Sequence, residues 1–283
     1  MLETVDLKKK LPKPAYAKQI EELQVKLRAL QYAVKDAEIP VVICLEGWDT
    51  AGKGRVIAKL FERLDPRLFR VHPGSPPSPI EQRYHFLWRY QVRLPEDGQM
   101  AVFDHSWYGR VLVERCDKLT KKKQWRESYE QINQFERWLA DDGQIVIKLW
   151  MHISKKEQRK RFRETLDDPG LRWKITKEYK QHHKQYNRWT MAVEEMLAKT
   201  DTPYAPWTIV EANDLRWARV RVFQTIIERI ESALARRKEL PGAVSRTVAG
   251  APALAEIRAE RVAKFAGPAP VEKKKDAEEA VHA

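Results

Sequence analysis

Gly47-Trp48-Asp49-Thr50-Ala51-Gly52-Lys53-Gly54 decides the fold. The stretch fits the phosphate-binding pattern G-x-x-x-x-G-K and departs from it at the last position. That position usually supplies a Ser or Thr hydroxyl to Mg²⁺, and here it is Gly54. The context on both sides is right. Val41-Val42-Ile43-Cys44-Leu45 is an apolar run that reads as a buried strand, and Val56, Ile57, Leu60 and Leu64 follow Lys53 at helical spacing. In a strand–loop–helix of this kind, backbone N–H groups and the positive end of the helix converge on phosphate oxygens. The candidates for phosphate contact are Gly47, Thr50, Ala51, Gly52, Gly54 and Arg55, with Lys53 adding a point charge. Asp49, inside the loop, is a candidate for the metal-holding or base role left open by the missing hydroxyl.

Outward from the loop, the pattern alternates. Residues 69–72 read as a short strand, 100–103 as a buried strand that delivers Asp104, 145–150 as a third and 207–210 as a fourth. Helical spacing occupies residues 16–35, and helices are expected around 80–92 and near 124–140, 154–166, 176–199 and 215–238. Strands alternating with helices specify an α/β fold: a parallel sheet sandwiched by helices, with ligands beyond the carboxyl ends of the strands. Asp49 and Asp104 both fall at such ends. Residues 1–14 read as an extended polar arm and 15–238 as the folded domain. Residues 239–283 read as a flexible tail with a short helix around 254–265.

The chain has 283 residues, 43% of them hydrophobic, and ten Trp, enough for a substantial core. Its formal net charge is +13. Acidic and basic residues balance from Glu239 onward, so the excess lies in residues 1–238. A basic body suits a polyanionic partner through long-range attraction and counterion release, and charge alone does not choose among polyanions. The two cysteines, Cys44 and Cys116, give neither a disulfide framework nor a zinc spacing. With no secretory signal and no long apolar run, a cytoplasmic protein acting on no membrane and no nucleic acid is the expectation.

Asp104 has the placement a phosphate-loop enzyme needs for a carboxylate that holds Mg²⁺ directly or through water. A helix cap or turn is the competing reading. The polar-aromatic turn His105-Ser106-Trp107-Tyr108-Gly109-Arg110 follows it, and Arg110 could reach a phosphate or cap a helix. Residues 155–161 hold five Lys or Arg against one acid, Glu157. That imbalance favours a mobile basic lid, about residues 154–176, over a solvated helix face, with Lys160 and Arg161 among its cations. His182-His183 do not share a helix face, which argues against a shared metal. Asp141-Asp142-Gly143 reads as a turn. Trp173, Tyr179, Tyr186 and Trp189 read as packing in preference to base stacking.

Together these residues resemble the polyphosphate kinase 2 family. The resemblance is carried by 46–54, by Asp104-His105-Ser106-Trp107-Tyr108-Gly109-Arg110-Val111-Leu112-Val113-Glu114-Arg115, by Asp141-Asp142-Gly143, by 154–158 and by Thr202-Pro203-Tyr204-Ala205-Pro206-Trp207. It spans about residues 2 to 235. It implies a P-loop kinase fold like that of thymidylate kinase with a helical lid, and Mg²⁺-assisted phosphoryl transfer between inorganic polyphosphate and a nucleoside mono- or diphosphate. It also implies a homo-oligomer, a dimer or tetramer. By resemblance, Asp49 and Asp104 organise the metal and acceptor phosphate, while Lys53 and Arg161 bind the transferring group. The run from Trp107 to Glu114 looks more like members that phosphorylate AMP than those acting on ADP or GDP. One departure matters: His105 stands where the family usually has Arg. That change implies weaker phosphate binding, or activity that falls as His105 deprotonates. Two other readings stay open, an ATP-dependent kinase on the same fold and a polyphosphate-binding protein impaired in catalysis.

Overall fold

The computed structural model describes residues 1–239. The expected tail and its helix at 254–265 lie outside the described residues. The chain runs through α1 (Lys13–Asp36), β1 (Val41–Gly47), α2 (Lys53–Phe61), β2 (Phe69–Pro73), α3 (Trp88–Gln91) and β3 (Met100–Asp104). It continues with α4 (Val113–Cys116), α5 (Lys122–Asp141), β4 (Ile145–His152) and α6 (Lys155–Asp167). Then come α7 (Lys177–Lys184), α8 (Tyr186–Thr200), β5 (Trp207–Glu211) and α9 (Leu215–Glu239).

The five strands form one parallel sheet in the order β2-β3-β1-β4-β5. After β1 the chain builds β2 and β3 on one side, then crosses over to build β4 and β5 on the other. The carboxyl end of β1 is therefore where connections depart in opposite directions, the place where open parallel sheets bind ligands. β1 and β4 are flanked on both sides and covered on both faces. Their sequences, VVICLEG and IVIKLWMH, accordingly lack the alternation of a half-exposed strand and are almost wholly buried. Register places Leu45 opposite Asp104 and Gly47 opposite Met151, so the phosphate-type loop and Asp104 emerge at the same edge.

Two expectations are corrected. The helix around 80–92 is a single 3-10 turn, Glu81–Arg83, and the short α3. Ser78 and Glu81 cap one another reciprocally at 2.7 and 3.2 Å, and the backbone turns extended at Tyr84 before a helix can propagate. The helix at 176–199 breaks at Gln185, which separates α7 from α8. The break lets Tyr186 stack on Trp48 of the loop, with ring centroids 4.3 Å apart, and donate a 2.9 Å hydrogen bond to the Ile153 carbonyl. The N-terminal arm is docked: Leu2 and Leu11 are buried, Lys9 Nζ lies 2.8 Å from Glu211, and Asn213 donates to the Leu7 carbonyl. No helix among the described residues is long and apolar enough to cross a membrane.

Candidate active site

The loop between β1 and α2 is held from below and from the side. Gly47 has φ +150° and its backbone passes against Met151 of β4. Trp48 turns inward, donates from Nε1 to His152 Nδ1 at 2.9 Å, and packs edge-on against Trp150. Lys53, on the first turn of α2, is buried and donates to the carbonyls of Gly47 and Trp48 at 3.0 and 3.4 Å. Thr50 adopts φ +62°, and its Oγ1 is buried with no hydrogen-bond partner among the described residues. A Cβ built on Gly54 meets nothing within 4 Å, so crowding does not explain the missing hydroxyl. Arg55 is exposed, and its carbonyl accepts from Arg219 at 3.4 Å.

Because His152 Nδ1 accepts that indole proton, its ring is neutral, and burial pushes it down to about 4. A histidine with a lowered folded-state value binds its proton first in the unfolded chain. Stability therefore falls as pH drops from about 6.5 toward 4. Between pH 8 and pH 5 this one group is expected to remove about 2 kcal/mol. Urea unfolding at the two pH values checks it, with His152→Asn expected to lose most of the difference.

β3 ends in Asp104, whose Oδ1 is buried and unpartnered among the described residues. His105 follows at φ +66° with its side chain 40% exposed, its Nδ1 3.6 Å from Glu46 Oε2. Glu46, at the end of β1, fixes the turn by accepting from the Ser106 backbone N–H at 2.7 Å and from Ser106 Oγ at 2.9 Å. Burial opposes its ionisation, yet His105, the Ser106 N–H and Lys53 together hold the carboxyl below its ordinary value. Deeper down, Glu136 of α5 accepts from Trp107 Nε1 and Tyr108 OH at 2.9 and 2.6 Å. Lys148 of β4 donates to Glu136, Tyr108 OH and the Thr200 carbonyl at 2.7, 2.9 and 2.5 Å.

The basic segment lies against the loop. Arg161 of α6 donates from Nη1 to the carbonyls of Thr50 and Ala51, and from Nη2 to those of Ala212 and Asn213, at 2.7–3.0 Å. Its Nε meets Glu157 at 2.9 Å, so every guanidinium N–H is turned to a protein acceptor. Gln158 donates weakly to the Asp49 carbonyl, at 3.4 Å. From α7, His182 places Nδ1 3.0 Å from Asp49 Oδ2 and Nε2 3.1 Å from Asp117 Oδ2. Burial pushes the Tyr179 phenol up, and the charges of Asp49 and Asp104 push it further. A pocket opens here, lined among others by Glu46, Asp49, His105, Leu112, His182 and Trp189.

Asp49, Lys53, Asp104 and His105 all lie at or just beyond the carboxyl ends of β1 and β3. Two expected phosphate contacts point elsewhere. Arg110 pairs closely with Glu114, donates to Thr120 Oγ1 at 2.6 Å and covers the Phe86 ring. Lys160 is exposed, near Glu157 and Glu164. Arg161 is in place beside the loop but reaches its carbonyls. Of the four aromatics read as packing, Trp189 is buried, Tyr186 stacks on Trp48 and Tyr179 on Phe162. Trp173 is the exception, 73% exposed.

The family model described as polyphosphate kinase 2 matches residues 10–238. The chain belongs to the polyphosphate kinase 2 family. A polyphosphate:AMP phosphotransferase of Pseudomonas aeruginosa is 39% identical over 238 residues, which is 84% of this chain and 48% of that protein. The chain thus spans about half the length of that relative. NDP-polyphosphate phosphotransferase 1 of Ruegeria pomeroyi is 36% identical over 220 residues, 78% of this chain and 72% of the relative. The crystal structure of polyphosphate kinase 2 from Arthrobacter aurescens TC1 has a TM-score of 0.79 at 26% identity and covers 93% of each chain. In this polyphosphate kinase 2 chain, sequence reasoning assigned no role to Glu46, Glu136, Lys148 or Asp117. It named His182 only to set aside a shared metal. Lys148 left a signal, a lone charge inside an apolar strand. Glu46 entered only as the first residue of the 46–54 stretch, and Glu136 and Asp117 left no signal of their own.

Proposed function

We propose that this protein transfers phosphoryl groups between inorganic polyphosphate and a nucleotide, with AMP as the favoured acceptor and ADP as its product. The observation that carries the proposal is the pairing of a G-x-x-x-x-G-K loop with the Asp104 oxygen on the neighbouring strand, buried and unpartnered among the described residues. The names of the relatives support the substrate class, and the one that is 39% identical supports AMP.

A divalent cation fits the residues present: two carboxylates, Asp49 and Asp104, are hard oxygen donors at strand ends, and Asp104 Oδ1 and Thr50 Oγ1 lack partners among the described residues. Mg²⁺ bound there would neutralise charge on the phosphate oxygens. The chain supplies the rest. Loop N–H groups and the start of α2 orient the phosphates, and Lys53 exchanges its two carbonyl partners for phosphate oxygen. Arg161 keeps the loop carbonyls of Thr50 and Ala51 turned away from the anion. The segment from α6 to α7 acts as a lid that excludes water. Positioning and electrostatics supply most of the rate, because the transferring group needs little covalent help.

Purified protein offered polyphosphate, Mg²⁺ and AMP, ADP, GMP or GDP separately tests this. ADP is expected from AMP, reduced at least about 100-fold in Asp104→Asn, on the scale of a lost electrostatic contact to the transition state. Product only from diphosphates would overturn the acceptor. Turnover with ATP but not polyphosphate would overturn the donor. Polyphosphate binding without turnover would favour the impaired-binder reading, with His105 as its cause.

A further inference from the structure

α7 has eight residues, and most of its surface is polar. Nothing in that composition explains why it lies against the loop. Its adjacent histidines divide the task. His183 turns to α6, with Nδ1 2.7 Å from Gln158 Oε1. His182 turns the other way and rests on the Trp189 ring, 4.4 Å between centroids, with each ring nitrogen facing a carboxylate. The two carboxylates are 133 and 65 residues away in the chain. Asp49 belongs to the loop. Asp117 follows α4, where the second motif ends, and its neighbour Arg115 is tied to Glu195 of α8 at 2.8 Å. One imidazole therefore connects three parts of the site: the loop, the exit of the second motif, and the segment that covers both. Among the described residues, Gln158 of α6 adds one long hydrogen bond to the Asp49 carbonyl.

We propose that His182 is a positioning residue for phosphoryl transfer: by bridging Asp49 and Asp117 it seats α7 over the loop and keeps the ligand-free enzyme in its closed, substrate-ready arrangement. The inference rests on the proposed reaction only for its kinetic consequence. A protein whose competent form is a fraction of the population binds more weakly by that fraction. Loss of the bridge is therefore expected to act on apparent affinity, with the chemical step little changed.

Hydrogen–deuterium exchange on the full, ligand-free chain tests the bridge without any turnover. His182→Ala is expected to speed exchange in residues 177–184 about tenfold and to leave β1 and β4 unchanged. Asn reaches roughly as far as Nδ1 and Gln as far as Nε2. His182→Asn and His182→Gln should each restore part of the protection, and Asp117→Asn should lose part of it. In steady state, His182→Ala should raise KM for polyphosphate and acceptor about tenfold with kcat within about threefold. Unchanged exchange in 177–184, faster exchange spreading into the sheet, or a fall in kcat at constant KM would each overturn the proposal. Faster exchange in the variant together with a wild type that never uses polyphosphate would sink the reaction and leave the bridge standing.

Discussion

Lys148→Ala is expected to lower the free energy of unfolding by about 3–5 kcal/mol, the cost of removing one partner from a buried ion pair. Both side chains of the pair are fully buried. The substitution also deprives Tyr108 OH and the Thr200 carbonyl of a donor. The deficit should depend on pH in a definite direction. Burial pushes the Glu136 carboxyl up even with Lys148 beside it, so the folded chain holds that proton more tightly than the unfolded one. For an acid raised in this way, stability falls as pH rises from the unfolded value, about 4.5, through the folded one. Without Lys148 the folded value climbs further, and the deficit is largest at neutral pH and shrinks toward pH 5. Urea unfolding at both pH values measures it. The double variant Lys148→Met with Glu136→Gln should recover most of the loss, since a neutral amide still accepts from Trp107 and Tyr108. A single-variant loss under about 1 kcal/mol, alike at both pH values, would show that the pair holds nothing together.

Gly47→Ala should be about as costly, for a different reason. At φ +150° a side chain is strained whatever the space, and a Cβ there would meet the Met151 carbonyl oxygen at 2.6 Å, its Cβ at 2.7 Å and its nitrogen at 2.9 Å. Met151 cannot yield by a rotamer change, because two of those atoms are backbone in a central strand. Backbone strain and overpacking together cost about 3–5 kcal/mol. The loop also begins at this residue, so activity should fall along with stability. Thermal unfolding of Gly47→Ala beside Gly54→Ala separates the two glycines: the second has open space at its Cβ and should unfold near the wild type. Equal midpoints for all three proteins would refute the close approach of β1 to β4.

Much of this architecture could be read from residue patterns, because the physics involved is local or periodic. β1 and β4 are continuous apolar runs since parallel central strands are covered on both faces. The loop follows from glycine spacing after such a strand, and Asp104 from its place at the end of another. What was illegible depends on partners far apart in the chain. His182 and Asp49 are separated by 133 residues, and nothing in Lys177–Lys184 encodes which helix face meets the loop. The spacing of adjacent helical residues spoke only against a metal shared by the two histidines, and it could not say what each ring would find. The helix expected around 80–92 failed where Ser78 and Glu81 closed a turn and the extended Tyr84 stopped propagation. Lys148 is a lone charge in the apolar run of β4, a signal the sequence reading did not take up. Its counter-ion, Glu136, sits on an amphipathic helix beside the exposed acids Glu127, Glu130 and Asp141.

The Arg161 guanidinium grips Thr50 and Ala51 with one nitrogen and Ala212 and Asn213 with another. It joins the turns that follow β1 and β5, and it does so from α6, the helix at which the proposed lid begins. The root of that helix is consequently bolted to the rim of the sheet. In the lid proposed above, any swing would have its hinge beyond Arg161, and the moving lever would be shorter than the basic stretch alone suggests. A crosslink placed between residues 155 and 161 should leave opening untouched, while one placed past the hinge should freeze it.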